Sequence, residues 1–478
     1  MLSDIRFWII VALLIRLYGI TNPPLEVAHN WRQTTVTMAA RNFYEIDANI
    51  LYPRVDFAGE KTGITGMEFP LLNYLIYLVS LIFGYEHWYG RLINLVVSSF
   101  GINYFYLSVR KYFTSSIAFK ASFILLFSIW LSFSRKIMPD TFSVSLVMIG
   151  LYYGSNYLDR RASFKNLLIF FLAICAGILS KLPSGYMLIL FAPLIFDKSL
   201  AIKNKIVLIV TGSIAIVPVV WWYFIWVPYL VDHFGFWHFF MGDSFMEGIN
   251  ELAANIPDTF KKFYDTALKF AGFAFFVFGL IMAVVKRNRK LLLIFLLSSL
   301  GFAVVVLKAG FNFPHHSYYI VPFVPVMALV AAFGIDQIKK QWIATIALAA
   351  IALEGFFNQF HDVRIHQHEP LLKLETALNS HTEQDDLILI NSGQNPTPMY
   401  FAHRNGWIAF NRQIDEQEEL EKYIDLGLDH VVILKAGFGS PLNFDLEKVH
   451  ESDYFDIYSV SQKRRDQDYL PFSYQNQT

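Results

Sequence analysis

Apolar runs long enough to cross a bilayer recur along most of this chain, and they leave few folds open. A transmembrane helix needs about 20 mostly apolar residues. Such runs fall near 5–22, 90–109, 116–134, 141–158, 166–182, 184–197, 206–227, 268–285, 291–308, 318–335 and 342–358. Only 16% of the 478 residues are charged, against about 25% in a soluble domain. The expectation is an all-α polytopic membrane protein with about eleven transmembrane helices. The formal net charge is +0, which gives no bulk attraction for nucleic acid, so none is expected as a partner. Cys175 is the one cysteine, so no disulfide forms within the chain. Asp4 and Arg16 interrupt a would-be signal peptide, and Asn22–Pro23–Pro24 follows where a cleavage site would stand. The first run therefore reads as an uncleaved span.

Charge gives an independent view of the layout. Tight basic clusters sit on alternate connections: Arg110–Lys111, Arg160–Arg161–Lys165, Lys198–Lys203–Lys205, Lys286–Arg287–Arg289–Lys290 and Lys339–Lys340. Positive connections face the cytoplasm. The N-terminus then lies inside, and the connections 23–89, 135–140, the Lys181 turn, 228–267 and 309–317 lie outside with everything after 358.

The stretch 23–89 is too polar to span and too patterned for a slack linker. Met38 and Phe43 suit an amphipathic helix at the membrane interface, and Leu71 to Phe83 suits a second. From His361 the composition becomes soluble. DDLILINSG and HVVILKAG read as short buried strands, and QEELEKYIDLG as a helix closing at Gly427. The expected organisation is a membrane domain over 1–358 and a small α/β domain over 359–478 on the outer face, with a loose polar tail after Arg464.

Candidate chemistry gathers on the outer connections. Glu26, His29 and Arg32 are spaced three apart and would share a face on a helical turn. A carboxylate beside an imidazole suits general base catalysis or metal ligation, and an arginine suits a phosphate; a structural polar cluster explains them equally well. Glu68 precedes Phe69–Pro70 and suits helix capping as well as catalysis. Asp140 opens a span after Pro139, with Arg135 and Lys136 making the same turn positive. Lys181 lies in GILSKLPSG, where a snorkelling lysine is the bland alternative. His315 and His316 precede two tyrosines, including Tyr318, without a third metal ligand fixed by spacing. Asp56 lies in a glycine-containing part of the first loop and is expected to be loosely placed. A shared outer cavity would also include Arg91.

Several segments resemble the GT-C glycosyltransferases that use polyprenyl-phosphate sugars, in the branch of the aminoarabinose transferase and the protein O-mannosyltransferases. They are E-x-x-H-x-W-R-Q with A-x-R-N-F-Y (Glu26 to Tyr44), MEFPLLNYL, RLINLV from Arg91, MPD at Asp140, SKLP at Lys181, HSYYIVPFVP from His316 and YFAHRNGW (Tyr400 to Trp407). The family has an acidic pair soon after the first span; here that place holds His29–Asn30, with Glu26 just before. The resemblance implies a GT-C-like fold and an inverting transferase in a bacterial inner membrane. It would move sugar from a polyprenyl-phosphate carrier to a glycan, lipid or protein acceptor on the periplasmic face. Glu26, Asp140 and His29 are then the catalytic candidates. Arg32, Arg91, Lys181, His316 and Tyr318 are candidates for the donor phosphate, and Glu68, His315 and Asp56 line the site. A divalent metal ion is an open cofactor. A lipid-linked sugar transporter or flippase, and a non-catalytic scaffold of a cell-envelope glycan machine, are the alternatives.

Overall fold

A computed structural model describes residues 4–26, 28–159, 162–237, 242–364, 368–443 and 445–460. Arg160, Arg161 and the tail after Arg464 lie outside these residues. The chain is 69% helical, with one small sheet among the described residues. It divides into two compact units. The first holds Met1–Pro23, Met67–Pro228 and Phe239–Ile365; the second holds Pro24–Gly66, Tyr229–His238 and His366–Thr478.

Each apolar run predicted above is helical in the first unit, but not every helix is a span by length and apolarity. Five qualify among the described residues: Tyr89–Tyr112, Ile202–Phe234, Arg289–Ala309, Ser317–Asp336 and Gln341–Asn358. A sixth arises if Ile256–Ala267 and Lys269–Val285, bent by 99°, count together. Of the remaining runs, 141–158 lies in one unbroken helix, Pro139–Asp159, while others are shortened or broken. The run 116–134 divides after Leu126 into Ser115–Leu126 and Trp130–Phe133. The run 184–197 starts as ten residues of 3-10 helix, Leu182–Phe191. Lys181, extended at φ −160°, separates that helix from Phe164–Ser180.

The helix Leu71–Phe83 forms where the sequence places it. It buries Leu72, Ile76 and Tyr77 and exposes Leu78, Leu81, Ile82 and Phe83. That is the one-sided apolar surface of a helix lying in an interface.

The other expected interface helix is different. Asn30–Glu45 is helical, but every residue from Arg32 to Phe43 is buried. Its polar residues are tolerated because they are satisfied locally. The hydroxyls of Thr34, Thr35 and Thr37 donate to the carbonyls of Asn30 (3.0 Å), Trp31 (2.7 Å) and Gln33 (2.8 Å), one turn back. The Asp56 carboxylate accepts from Arg41 (2.6 Å) and Asn42 (2.7 Å). A composition that reads as interfacial is thus that of a buried helix.

The second unit is built on a five-stranded sheet. Its strands are β1 (Leu387–Ile390), β2 (Gly406–Ile408), β3 (Leu428–Leu434), β4 (Glu447–Glu451) and β5 (Phe455–Ser459), in the order β2-β1-β3-β5-β4. β1 is parallel to β2 and β3, while β5 is antiparallel to β3 and β4. Strand periodicity sends alternate side chains to opposite faces. Ile388, Ile390, Val432 and Leu434 enter one core; Leu389, Val431 and Ile433 enter the other. Helix Gln417–Asp425 covers the second face through Leu420 and Ile424. Its chain reverses at Gly427, φ +104°.

The first face is completed by residues far earlier in the sequence. Leu25, Met38, Val55 and Phe57 join the same core as Ile388 and Val432. The stretch 24–66 is therefore part of the α/β unit, which the boundary at 358/359 does not express. Gly59 donates to the Gly406 carbonyl (2.7 Å), and Gly406 to that of Asp56 (3.0 Å), tying this stretch to the start of β2.

Candidate active site

The sequence candidates divide between the units. Glu68, Arg91, Asp140, Lys181, His315, His316 and Tyr318 fall in the first; Glu26, His29, Arg32 and Asp56 fall in the second.

In the first unit the centre is Lys181. Its ammonium donates to Glu68 at 2.8 Å and lies 3.7 Å from Asp140. It also sits 5.2 Å from the centroid of the Tyr318 ring, and His316 stacks on Tyr318 at 5.3 Å and 12°. All three charged groups are buried. Ionisable groups inside a helix bundle are costly unless paired, and here one cation serves two carboxylates. A carboxylate held beside the ammonium is placed to accept a proton. His315 instead packs on Phe311 at 4.2 Å.

Each member is held by a sequence-specific arrangement. Asp140 occupies the first turn of helix Pro139–Asp159, whose approach is clamped by Asn94. The Asn94 amide donates to the carbonyls of Phe133 (3.1 Å), Lys136 (2.8 Å) and Met138 (3.2 Å), and its oxygen accepts from Thr141 (3.1 Å). The Lys181 carbonyl accepts from Ser184 at 2.9 Å, and Ser184 accepts from Ser143 at 2.8 Å. Glu68 follows Met67, whose carbonyl accepts from the Trp222 indole at 2.9 Å. Phe69 packs edge-on against that indole.

Glu68 and Lys181 line a cavity of about 330 Å³, together with Tyr186, Tyr223, Lys308 and Tyr319; Asp140 does not line it. Tyr186 and Tyr223 donate to the carbonyls of Pro322 and Leu179, both at 2.8 Å. Lys308 donates to the Asp243 carbonyl and faces Phe245. Lys308, Tyr186, Tyr223 and Asn94 escaped the sequence reading. Asn94, alone in the middle of an apolar run, carried a signal; Lys308 at a span end looks the same whether it snorkels or lines a site.

Arg91, expected at the donor phosphate, and Arg135, expected to make its turn positive, both donate to backbone carbonyls. Arg91 is fully buried and donates to the carbonyls of Ile20 (3.1 Å), Asn22 and Pro23 (3.4 Å). Arg135 donates to those of Tyr18 (3.1 Å) and Gly19 (2.9 Å). Both hold the stretch 18–23 that follows helix Ile5–Arg16.

In the second unit, Glu26 is buried and accepts from Gln33 at 3.2 Å. His29 is the N-cap of Asn30–Glu45, in a left-handed conformation at φ +62°. Glu26 and His29 precede the helix, so the shared helical face expected of Glu26, His29 and Arg32 does not form. The Arg32 guanidinium lies 5.5 Å from the Trp31 ring. Asp56 is fixed between Arg41 and Asn42 instead of loosely placed. Among the described residues, no three His, Cys, Asp or Glu converge as a metal site.

The chain's apolar helices are those of a membrane protein, and its fold is shared by the solved structures of ArnT and of an archaeal oligosaccharyltransferase. Residues 68–222, which hold Glu68, Arg91, Asp140 and Lys181, match the family model of dolichyl-phosphate-mannose-protein mannosyltransferase. The chain is similar to ArnT from Cupriavidus metallidurans solved with undecaprenyl phosphate, at TM-score 0.57 and 11% identity. The match covers 95% of this chain and 98% of that one. It is also similar to the oligosaccharyltransferase AglB of Archaeoglobus fulgidus solved with an inhibitory peptide and a dolichol-phosphate, at TM-score 0.53 and 12% identity. There it covers 90% of this chain and 69% of that one. No curated protein matches the sequence.

Proposed function

We propose that the protein is an inverting glycosyltransferase that moves a sugar from a polyprenyl-phosphate carrier to an acceptor hydroxyl on the outer face of a bacterial inner membrane. The observation that carries this reading is the buried Glu68–Lys181–Asp140 cluster beside the 330 Å³ cavity. The matched family and both similar structures support it, since each is named for a transferase of lipid-linked sugars or was solved with a polyprenyl phosphate. In this reading about eleven segments cross or enter the membrane.

The donor phosphate lies between Lys181 and Lys308, whose charges balance the leaving phosphate. Tyr318 and His316 wall the Lys181 side. The acceptor oxygen attacks the anomeric carbon opposite the carrier. The bond from that carbon to the phosphate oxygen breaks, polyprenyl phosphate leaves, and the hydroxyl proton passes to a carboxylate. Glu68 is that base, because it lines the cavity. Asp140 keeps Lys181 charged and oriented. Arg91 holds the stretch after the first helix. Glu26, His29 and Arg32 form a second candidate centre.

The test is transfer of radiolabelled sugar from polyprenyl-phosphate donors by the full chain in detergent. Glu68→Gln is expected to lower turnover by at least roughly a hundredfold, as loss of a general base does. Lys308→Met is expected to raise the donor KM. A Glu68→Gln variant at wild-type rate overturns the assignment of the base; an equal loss in Glu26→Gln instead moves it to the second centre.

A further inference from the structure

A second cavity, of about 350 Å³, lies at the other end of the same helices. Helix Arg289–Ala309 contributes Lys290 here and Lys308 to the first cavity. Eighteen residues at 1.5 Å each separate the two lysines by about 27 Å along the helix. The volume falls within the roughly 300–1,000 Å³ of ordinary ligand sites.

Its walls are apolar, built from Phe105, Met148, Phe191, Leu293 and Leu329 among others. Its polar features are few and specific. Lys290 is exposed at the rim, where it donates to the Tyr112 carbonyl at 3.2 Å and leaves further N–H groups for a ligand. Ser108 Oγ lines the cavity, is buried, and meets no hydrogen-bond partner among the described residues, and Tyr112 Oη lines it beside the Ser155 hydroxyl. The Ser155 hydroxyl near Tyr112 is already engaged, donating to Tyr152 O (2.9 Å) and accepting from Lys111 (3.2 Å). Lys111 itself pairs with Asp159 at 2.6 Å. Asp197, the one acid in the lining, accepts from the Ser199 amide at 2.8 Å.

Buried hydroxyls without partners are rare in folded proteins. One of them, Ser108, between apolar walls and a rim cation specifies a ligand with three parts. It has a hydrocarbon chain, a hydrogen-bond acceptor next to it, and an anionic head. We propose that this cavity binds an anionic glycerophospholipid from the leaflet facing the basic clusters. One acyl chain fills the apolar slot, an ester carbonyl accepts from Ser108, and the phosphate pairs with Lys290. A polyprenyl phosphate fits less well, because it offers no acceptor between its hydrocarbon and its phosphate. Lys286, Arg287 and Arg289 precede Lys290 and extend the positive field toward an anionic surface.

The experiment is native mass spectrometry of the delipidated full chain with added lipids in detergent. Diacyl phosphatidylglycerol is expected to be retained above phosphatidylcholine. The diether analogue, which lacks ester carbonyls, is expected to bind more weakly. Lys290→Gln, at an exposed position, should weaken phosphatidylglycerol about fivefold, the equivalent of roughly 1 kcal/mol for a basic side chain at a lipid surface, and Lys290→Arg should restore it. Ser108→Ala should erase the preference for diacyl over diether lipid without lowering the unfolding temperature. Equal retention of the two headgroups, or an unchanged Lys290→Gln, overturns the proposal. So does one-for-one displacement of phosphatidylglycerol by undecaprenyl phosphate, which would give the cavity to the carrier.

Discussion

His403 shows how a single side chain couples distant parts of the second unit. It caps helix Thr397–Ala402 in a left-handed conformation, φ +50°. One ring nitrogen meets Glu45 at 2.9 Å and the other Glu375 at 2.7 Å. Two carboxylates ask for two N–H donors, which only the protonated ring supplies. Its pKa is accordingly raised above 6.5, chiefly by the Glu45 hydrogen bond, with burial and Arg41 opposing. The unfolded chain has the ordinary value of about 6.5. The stabilisation is therefore fully present below that pH and lost as the pH rises through the raised value in the folded state. The unfolding temperature of the wild type is expected to exceed that of His403→Gln at about pH 6 and to converge on it at alkaline pH. A gap that stays constant with pH would show that the ring acts through packing alone.

At the scale of elements, the contact between loop 56–59 and β2 decides whether the stretch 24–66 stays with the sheet. Gly59 has φ +70°, and a Cβ there would meet the Trp407 indole nitrogen at 2.3 Å. Gly59→Ala must therefore adopt a strained backbone and displace Trp407, at a cost of about 1–3 kcal/mol. Thermal unfolding should report that loss, while Gly84→Ala, where a Cβ meets nothing within 4 Å despite φ +80°, isolates the backbone contribution. Equal losses in the two variants would remove Trp407 from the account. Elements also explain the misread helix. Asn30–Glu45 has the polarity of an interfacial helix because its threonines bond their own backbone and Arg41 meets Asp56 at 2.6 Å. Neither partner is visible in a hydrophobic period. Leu71–Phe83, whose burial follows its period, was legible to the residue.

At the scale of the molecule, the helix ends separate into two sets. Lys181, Tyr223, Lys308 and Tyr319 meet around one cavity, and Tyr112, Ser155, Asp197 and Lys290 around the other. The second set adjoins the basic connections, so the positive-inside rule predicts that it faces the cytoplasm. A periplasmic reporter fused after Asp362 is expected to be active and one fused after Arg289 inactive. The reverse result would put the Lys181 cavity on the cytoplasmic side and remove the outer-face reading. Sequence alone determined that this is a multi-helix membrane chain, where its helices begin, and that a small α/β unit follows, because apolar periods and basic clusters are local signals. It also put Glu68, Asp140 and Lys181 on one list. Only the tertiary structure decided that these three touch, that Arg91 and Arg135 are spent on backbone carbonyls, and that residues 24–66 complete a sheet formed after residue 386. Pairing between residues hundreds of positions apart leaves no period in the chain, since each partner's burial depends on a surface that exists only once both are folded.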